Sequence, residues 1–395
     1  MIIGVIGSRG TVPTANNATT SFLVDNKFLF ECPSEIVQSF HRFQKNWLKV
    51  IETTKSSELE ALGRPTFGKI SHIILSHLHF DHWGGLPHIL HRIMLLEREK
   101  RETEPLNLVI PKGSTIPLQQ RMKQAFSLDD SSFPLLDDEF LYRFLAIEVG
   151  SIITKVLKIK VIEVGEIITP ESGYTLSCEH NFHLPQGSVA YKISFNKVKL
   201  DVKKAQQLGI PFNSTLRQIE ESNYPIQIEG NSIKRSDIFR DIKVILGYSG
   251  DTALNPKILD FFSDCNVIIH ETTYLDYDDS YHLDLHTDLQ SLVEALVDFK
   301  DLFLLLPIHF SIRHTSKEIK QAIDRIKKKN FMISNTMTTF IIHVDNESIV
   351  ALHDHFCPTR QYFSYSLTSL SYNLKKPLSL TSSTILSRTI CQIVV

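Results

Sequence analysis

The chain has 395 residues, 42% of them apolar, and a formal net charge of −2. That length buries a full core, and the near-neutral balance excludes a global basic field, so any contact with nucleic acid must come from local patches. No apolar run reaches transmembrane length, and the opening Met1-Ile2-Ile3-Gly4-Val5-Ile6-Gly7 lacks the basic n-region and the h-region length of a signal peptide, so no membrane partner is expected.

In chain order, strand signals open the sequence at 1–6, 21–25 and 27–31, with a turn-rich loop over 8–14. Residues 34–50 predict a helix and 51–68 read as a polar loop. The apolar Ile73-Ile74-Leu75 leads to His77-Leu78-His79-Phe80-Asp81-His82, then Gly84-Gly85 and a helical stretch near 86–97 that ends in a solvated charge run over 98–104. Residues 106–180 alternate strand signals with polar connections. Asp129-Asp130 and Asp137-Asp138-Glu139 read as surface acids, because they lack the spacing and the glycine hinge of a calcium loop. Strands are predicted at 189–193, 243–248 and 302–306.

Two helix starts follow capping-box logic: Thr287 with Gln290 ahead of the stripe Leu289, Leu292, Val293, Leu296 and Val297, and Thr315 with Glu318 ahead of Ile319, Ala322, Ile323 and Ile326. Residues 338–344 and 349–353 read as a closing strand pair, and the tail from 358 to 395 has no assigned role. The five cysteines, Cys32, Cys178, Cys265, Cys357 and Cys391, are scattered, with no C-x-x-C pair. They suit a reducing, cytoplasmic setting and argue against cysteine-ligated zinc.

The chemistry concentrates in residues 77–82, where three imidazoles and a carboxylate leave a strand. His and Asp are ligands of a borderline metal such as zinc. His77 and His79 can turn to one ion, while Asp81 and His82, one turn on, can face a second. Further ligands are expected where other strands end: Asp251 after 243–248, His309 after 302–306, and His180 or His183 just before 189–193. Alone, Asp251 could simply shape a turn and His309 could be a hydrogen-bonded core histidine; each gains weight because it follows a strand signal. Because these candidates span 77 to 309, one large domain over 1–357 with a protruding insertion is expected.

The His-x-His-x-Asp-His run followed by Gly84-Gly85-Leu86 resembles the signature of the metallo-β-lactamase superfamily, which implies an α/β four-layer αββα sandwich with a dinuclear site at one edge. Within it the chain resembles ribonuclease Z, the tRNA 3′-processing endonuclease. The matching segments are Tyr248-Ser249-Gly250-Asp251-Thr252, His270-Glu271-Thr272-Thr273, His286-Thr287 and His309-Phe310-Ser311-Ile312-Arg313-His314. Residues 197–239 resemble that family's arm, which grips the tRNA elbow. Four features depart from the family pattern: Phe212-Asn213 or Asn213-Ser214 in place of the arm's Gly-Pro, Glu31-Cys32-Pro33 in the early acidic segment, Gly7-Ser8-Arg9-Gly10 in the opening loop, and His314 in place of a tyrosine.

The resemblance implies two divalent ions, zinc or else manganese or iron, with His77, His79 and His183 on one, Asp81, His82 and His309 on the other, and Asp251 bridging. His183 is preferred to His180 from its distance to Tyr191. Such ions clamp the attacking and leaving oxygens of an in-line displacement. Asp81 would orient the nucleophile, and Glu271 with His286 would return a proton to the leaving oxygen. Ser311, Arg313, Lys199, Lys203 and Lys204 would contact phosphates of a precursor tRNA, bound by a homodimer. A hydrolase of another phosphodiester, a sulfate ester or a small molecule is the rival reading, and a non-enzymatic RNA-binding protein is the second.

Overall fold

The computed structural model describes residues 1–15, 17–54, 57–90, 92, 106–114, 118, 157–184, 187–222, 224–228, 230–276, 285–326, 331–334, 336, 340–344, 348–353 and 362–366. The charge run at 98–104, the acids at 129–139 and most of the tail lie outside the described residues.

Two sheets form the framework. The first contains, in spatial order, Tyr362–Ser366, Ser348–His353, Phe340–Val344, Ile2–Arg9, Ser21–Val24, Phe28–Phe30, His72–Ile74, Leu106–Pro111 and Leu157–Ile162, with Ala18–Thr19 beside Ile2–Arg9. The second runs Met332–Ile333, Leu304–Ile308, Val267–Glu271, Phe239–Tyr248, Val189–Leu200, Tyr174–His180 and Ile167–Ile168.

Strand alternation sorts the side chains into layers. Ile3 and Val5 join Phe22, Val24, Tyr191, Leu246, Ile269 and Leu306 in an apolar layer between the sheets. Ile2 and Ile6 point the other way, onto Phe40, Phe43 and Trp47 of the helix Ile36–Thr54. Ile268 and Leu305 of the second sheet likewise pack on Leu289, Leu292 and Val293 of the helix Leu289–Ala295, and on Ile319 and Ala322 of the helix Ser316–Arg325. Three apolar layers between four structural layers make the expected αββα sandwich.

Three details differ from the sequence reading. The helix predicted at 34–50 runs on to Thr54 and is followed by a second, Ser57–Leu62, where a loop was expected. Val50 and Ile51 pack on the same apolar layer as Trp47, which carries the helix past 50. The N-cap of Leu289–Ala295 is Asp288, whose side chain accepts from Ser291 N, and not Thr287. The Thr287 hydroxyl instead donates to Thr252 O at 2.7 Å, tying the helix start to the Asp251 loop. Finally, the strand Tyr362–Ser366 extends the predicted closing pair, so part of the tail belongs to the first sheet. The Thr315 box forms in both directions, Glu318 N to Thr315 Oγ1 and Thr315 N to Glu318 Oε2.

Beyond the sheet, Val189–Leu200 and Phe239–Tyr248 continue as a two-stranded ribbon, pairing down to Leu200 with Phe239, whereas Tyr174–His180 stops pairing at Phe195. The ribbon carries the helices Val202–Gln207, Ser214–Glu221 and Arg235–Ile238 and a hairpin of Ile226–Ile228 with Asn231–Ile233. Ala205, Ile210, Ile219, Ile233 and Ile238 give this part its own small core.

Candidate active site

Phe239–Tyr248, Val267–Glu271 and Leu304–Ile308 are parallel neighbours, so their C-terminal ends lie along one edge of the second sheet. Ligand sites in α/β sheets form at such ends. Asp251 follows the first strand, Glu271 ends the second and His309 immediately follows the third. From the facing sheet, His72–Ile74 delivers His77 and His79, and the single turn Phe80–Trp83 delivers Asp81 and His82. His183 comes from the loop after Tyr174–His180.

These side chains converge in two groups that share Asp251. Ligand atoms of His77, His79, His183 and Asp251 lie within 4.8 Å of one another, as do those of Asp81, His82, Asp251 and His309. Asp251 Oδ2 is 3.1 Å from His309 Nε2, 3.4 Å from His82 Nε2 and 3.9 Å from both His77 Nε2 and His183 Nε2. His183 Nε2 meets His79 Nδ1 at 3.0 Å. Of the two histidines left open by the sequence, His183 is buried in this centre and His180 is exposed on the strand end, outside both groups.

Three of the rings are fixed from behind. His77 Nδ1 meets Ser76 Oγ at 3.0 Å, His183 Nδ1 donates to Leu285 O at 3.2 Å, and His309 Nδ1 meets Thr273 Oγ1 at 2.9 Å. The forward nitrogens, Nε2 of His77, His82 and His309, are buried without a hydrogen-bond partner. Buried unpaired nitrogens are costly, and several of them aimed at one carboxylate are what a cation site requires. Backbone geometry supports the convergence: His309 has a φ of +61°, and Gly250, at +59°, lies so close to Ser76 that a Cβ there would meet Ser76 Cβ at 2.8 Å.

Electrostatics divide the centre. Burial holds the His77, His79 and His183 rings below the usual histidine range. Burial opposes charge on His309 too, but Asp251 and Asp81 outweigh it and push the ring up to about 10. His82 is raised by Asp251 and Glu31 against the same burial. The Asp81 carboxyl is penalised by burial, yet the neighbouring His309 and His82 rings, His309 Nε2 at 3.6 Å, bring it down to about 2.

Beside the second group, Glu271 Oε1 accepts from His286 Nδ1 at 2.9 Å, and this pair raises the His286 ring against its burial. Glu271 also accepts from Thr252 N and Thr273 N, at 3.0 Å each, so the carboxylate is locked in place.

Sequence reasoning quoted Glu31 and Thr273 only within family-like segments and gave neither a role in the site. Glu31 is fully buried, accepts from Ser76 N at 3.0 Å and Tyr248 OH at 2.9 Å, and brings Oε2 to 3.4 Å from His82 Nδ1. Its φ of +60° is unusual for a glutamate and has no local sequence signal. Thr273 Oγ1 joins Glu271, His286 and His309. Ser311 and Arg313 lie in the turn after His309, outside the ligand groups, with Arg313 exposed. Lys199, Lys203 and Lys204 are exposed on the ribbon and its first helix.

Residues 67–125 match the metallo-beta-lactamase superfamily. Similar curated relatives include the ribonuclease Z of Thermococcus sibiricus, 26% identical over 292 residues, covering 72% of this chain and 81% of the relative. The ribonuclease Z of Pyrococcus horikoshii is 26% identical over 260 residues, covering 64% and 73%. Among solved structures, the short form of human tRNase Z is 13% identical, with 87% of this chain and 99% of that chain covered and a TM-score of 0.49. Residues 67–125 thus carry a metallo-beta-lactamase segment, and about two thirds or more of the chain resembles the ribonucleases Z, 72% and 64% of it in the two relatives above.

Proposed function

We propose that the protein is a metal-dependent endoribonuclease that removes 3′ trailers from precursor tRNA. The observation that carries this reading is the pair of buried ligand groups sharing Asp251, with unpaired imidazole nitrogens turned inward. The resemblance to ribonucleases Z supplies the substrate class.

His77, His79 and His183 would hold one divalent ion and Asp81, His82 and His309 the other, with Asp251 between them. A mixed imidazole and carboxylate set suits zinc and also accepts manganese or iron. Such ions, when bound, supply a nucleophilic water at neutral pH and Lewis-acid stabilisation of the displaced phosphate oxygens.

The chain's own residues do the rest. Asp81 accepts a proton or a hydrogen bond from the attacking group. Glu271 fixes His286 through Nδ1, which leaves Nε2 to deliver a proton to the leaving oxygen. Ser311 and Arg313 lie beyond His309, where the RNA end would pass, and Lys199, Lys203 and Lys204 offer charge to phosphates along the arm. The remaining parts of the proposal are a cytoplasmic setting, which suits the free, buried Cys32, Cys178 and Cys265, and a homodimer.

The test is cleavage of a 3′-extended precursor tRNA by the purified protein with added zinc or manganese, beside Asp81→Ala. Cleavage just 3′ of the acceptor stem, lost in the variant, is expected. A protein that binds metal and hydrolyses bis-p-nitrophenyl phosphate but leaves the tRNA intact would point to another phosphodiester. His286→Ala should slow RNA cleavage by about 10²-fold or more. Its effect on bis-p-nitrophenyl phosphate should be small, since p-nitrophenolate leaves without a proton. Equal losses on both substrates would remove His286 from the proton-donor role.

A further inference from the structure

Ten large hydrophobic side chains are exposed among the described residues, and three of them adjoin in sequence the histidines whose rings meet at the centre. Phe80, between His79 and Asp81, is 63% exposed; Phe182, just before His183, is 61% exposed; Leu285, just before His286, is 44% exposed. Their neighbours touch one another. The His79 and His183 rings are 4.8 Å apart, the His183 and His286 rings 5.1 Å, and His183 Nδ1 bonds the Leu285 carbonyl. Trp83 meets Phe80 at 5.9 Å in an edge-to-face arrangement, which braces that ring from the protein side while most of its surface stays open.

None of the three belongs to either ligand group, and none is needed to fill a core layer. Scattered exposed hydrophobics need no explanation, whereas apolar groups gathered on the rim of a charged centre mark a ligand that is itself apolar and joined to an anion. An RNA strand presents that combination, because each phosphodiester is flanked by planar bases, and an unpaired base offers both faces for stacking on aromatic rings.

We propose that Phe80 and Phe182, flanked by Leu285, form a stacking rim for the unpaired nucleobase next to the scissile phosphate, and so act as specificity-determining residues. The proposal rests on the endonuclease reading and deepens it. The rim selects a strand whose bases are free to leave the stack, which favours a single-stranded 3′ trailer over a duplex.

The test pairs the parent protein with Phe80→Leu/Phe182→Leu, which keeps apolar bulk and removes the aromatic faces at two exposed positions. Precursor tRNA with an ordinary nucleotide just 3′ of the cleavage point is compared with the same RNA carrying an abasic nucleotide there. The double variant should lose on the order of tenfold in kcat/KM on the ordinary RNA, and the loss should vanish on the abasic RNA. A variant that loses equally on both overturns the rim. Both proteins are also titrated with single-stranded RNA carrying 2-aminopurine at that nucleotide. Quenching by the parent and not by the variant supports the rim even if the parent cleaves no tRNA, a result that would count against the endonuclease reading alone. No quenching by the parent, or equal quenching by both, overturns the stacking proposal.

Discussion

The metal centre and the arm are built by opposite means. The centre is assembled from loops far apart in sequence and is buried: Glu31 reaches Tyr248 across 217 positions, and Asn181 reaches Ser249 across 68. The arm is one continuous excursion around its own small apolar cluster, and each of its three arginines pairs with a carboxylate within it. Arg217 pairs with Glu221, Arg235 with Asp241 and Arg240 with Asp201. Exposed pairs of this kind add little stability, but they neutralise the guanidinium groups that would otherwise advertise a phosphate surface. The centre therefore concentrates unsatisfied polarity where a cation must answer it, and the arm leaves only its exposed lysines for an anion.

The sharpest way to break that contrast is at the atom the two ligand groups share. Asp251→Ala should lower hydrolysis of any phosphodiester by about 10³-fold or more and remove bound metal, read by elemental analysis of the purified variant. If activity falls while metal stoichiometry stays at the parent value, the carboxylate does not serve as a ligand for both groups.

One shell out, the effect should be smaller and should fall on affinity. Glu31 faces His82 Nδ1, the nitrogen opposite the one turned to Asp251, so its carboxylate fixes the ring and raises its basicity. Glu31→Gln keeps the shape and removes the charge. Metal affinity measured by competition with a chelator should fall about 10- to 100-fold. An unchanged affinity would reduce Glu31 to a packing residue that caps Tyr248.

A buried histidine away from the centre gives the control for both. His72 is 4% exposed, its Nδ1 meets Ser71 Oγ at 2.9 Å, and the same hydroxyl donates to Glu171 at 2.6 Å. Burial brings its pKa down to about 4, with Glu171 opposing and Lys160 and Lys27 adding to the shift. The unfolded chain thus binds a proton that the folded chain refuses, and stability falls as pH drops from about 6.5 towards about 4. Between pH 7 and pH 5 this amounts to about 2 kcal/mol. His72→Asn should remove that part of the slope in urea unfolding of the two proteins at both pH values. Parallel pH dependences would show that the ring is protonated in the fold.

The contrast also explains what the sequence made legible. His77, His79, Asp81 and His82 stand together because one strand exit delivers them, and Asp251 and His309 each follow an apolar run, so local pattern is enough to nominate them. Glu31 and Thr273 enter through contacts set by sheet pairing and by the crossing of two sheets, which no local period encodes. The same cause misplaced the N-cap: Thr287 and Asp288 both suit the position, and the hydroxyl is drawn off by Thr252 across 35 residues. The helix beyond residue 50 was hidden by its polar outer face, while Val50 and Ile51 hold its inner face to the core. The rim residues were written plainly in the sequence, but Phe80, Phe182 and Leu285 look like core candidates until their exposure is known.

The smallest effect belongs to the arm and tests whether its remaining charge does what its acids leave it free to do. Lys203 and Lys204 lie in the first turn of the helix Val202–Gln207, both exposed and without an ion pair to a described residue. If each neutralises one phosphate of a bound tRNA, each releases about one counterion. Lys203→Ala and Lys204→Ala should then each reduce the slope of log affinity against log salt by about 1, with a few-fold loss of binding at moderate salt. The asymmetry with the centre is the point of the measurement. A lost ligand abolishes a site because several buried groups depend on it, whereas a lost surface lysine removes only its own contact. Slopes that stay at the parent value in both variants, while Lys199→Ala lowers its own, would move the RNA path from the helix to the ribbon edge.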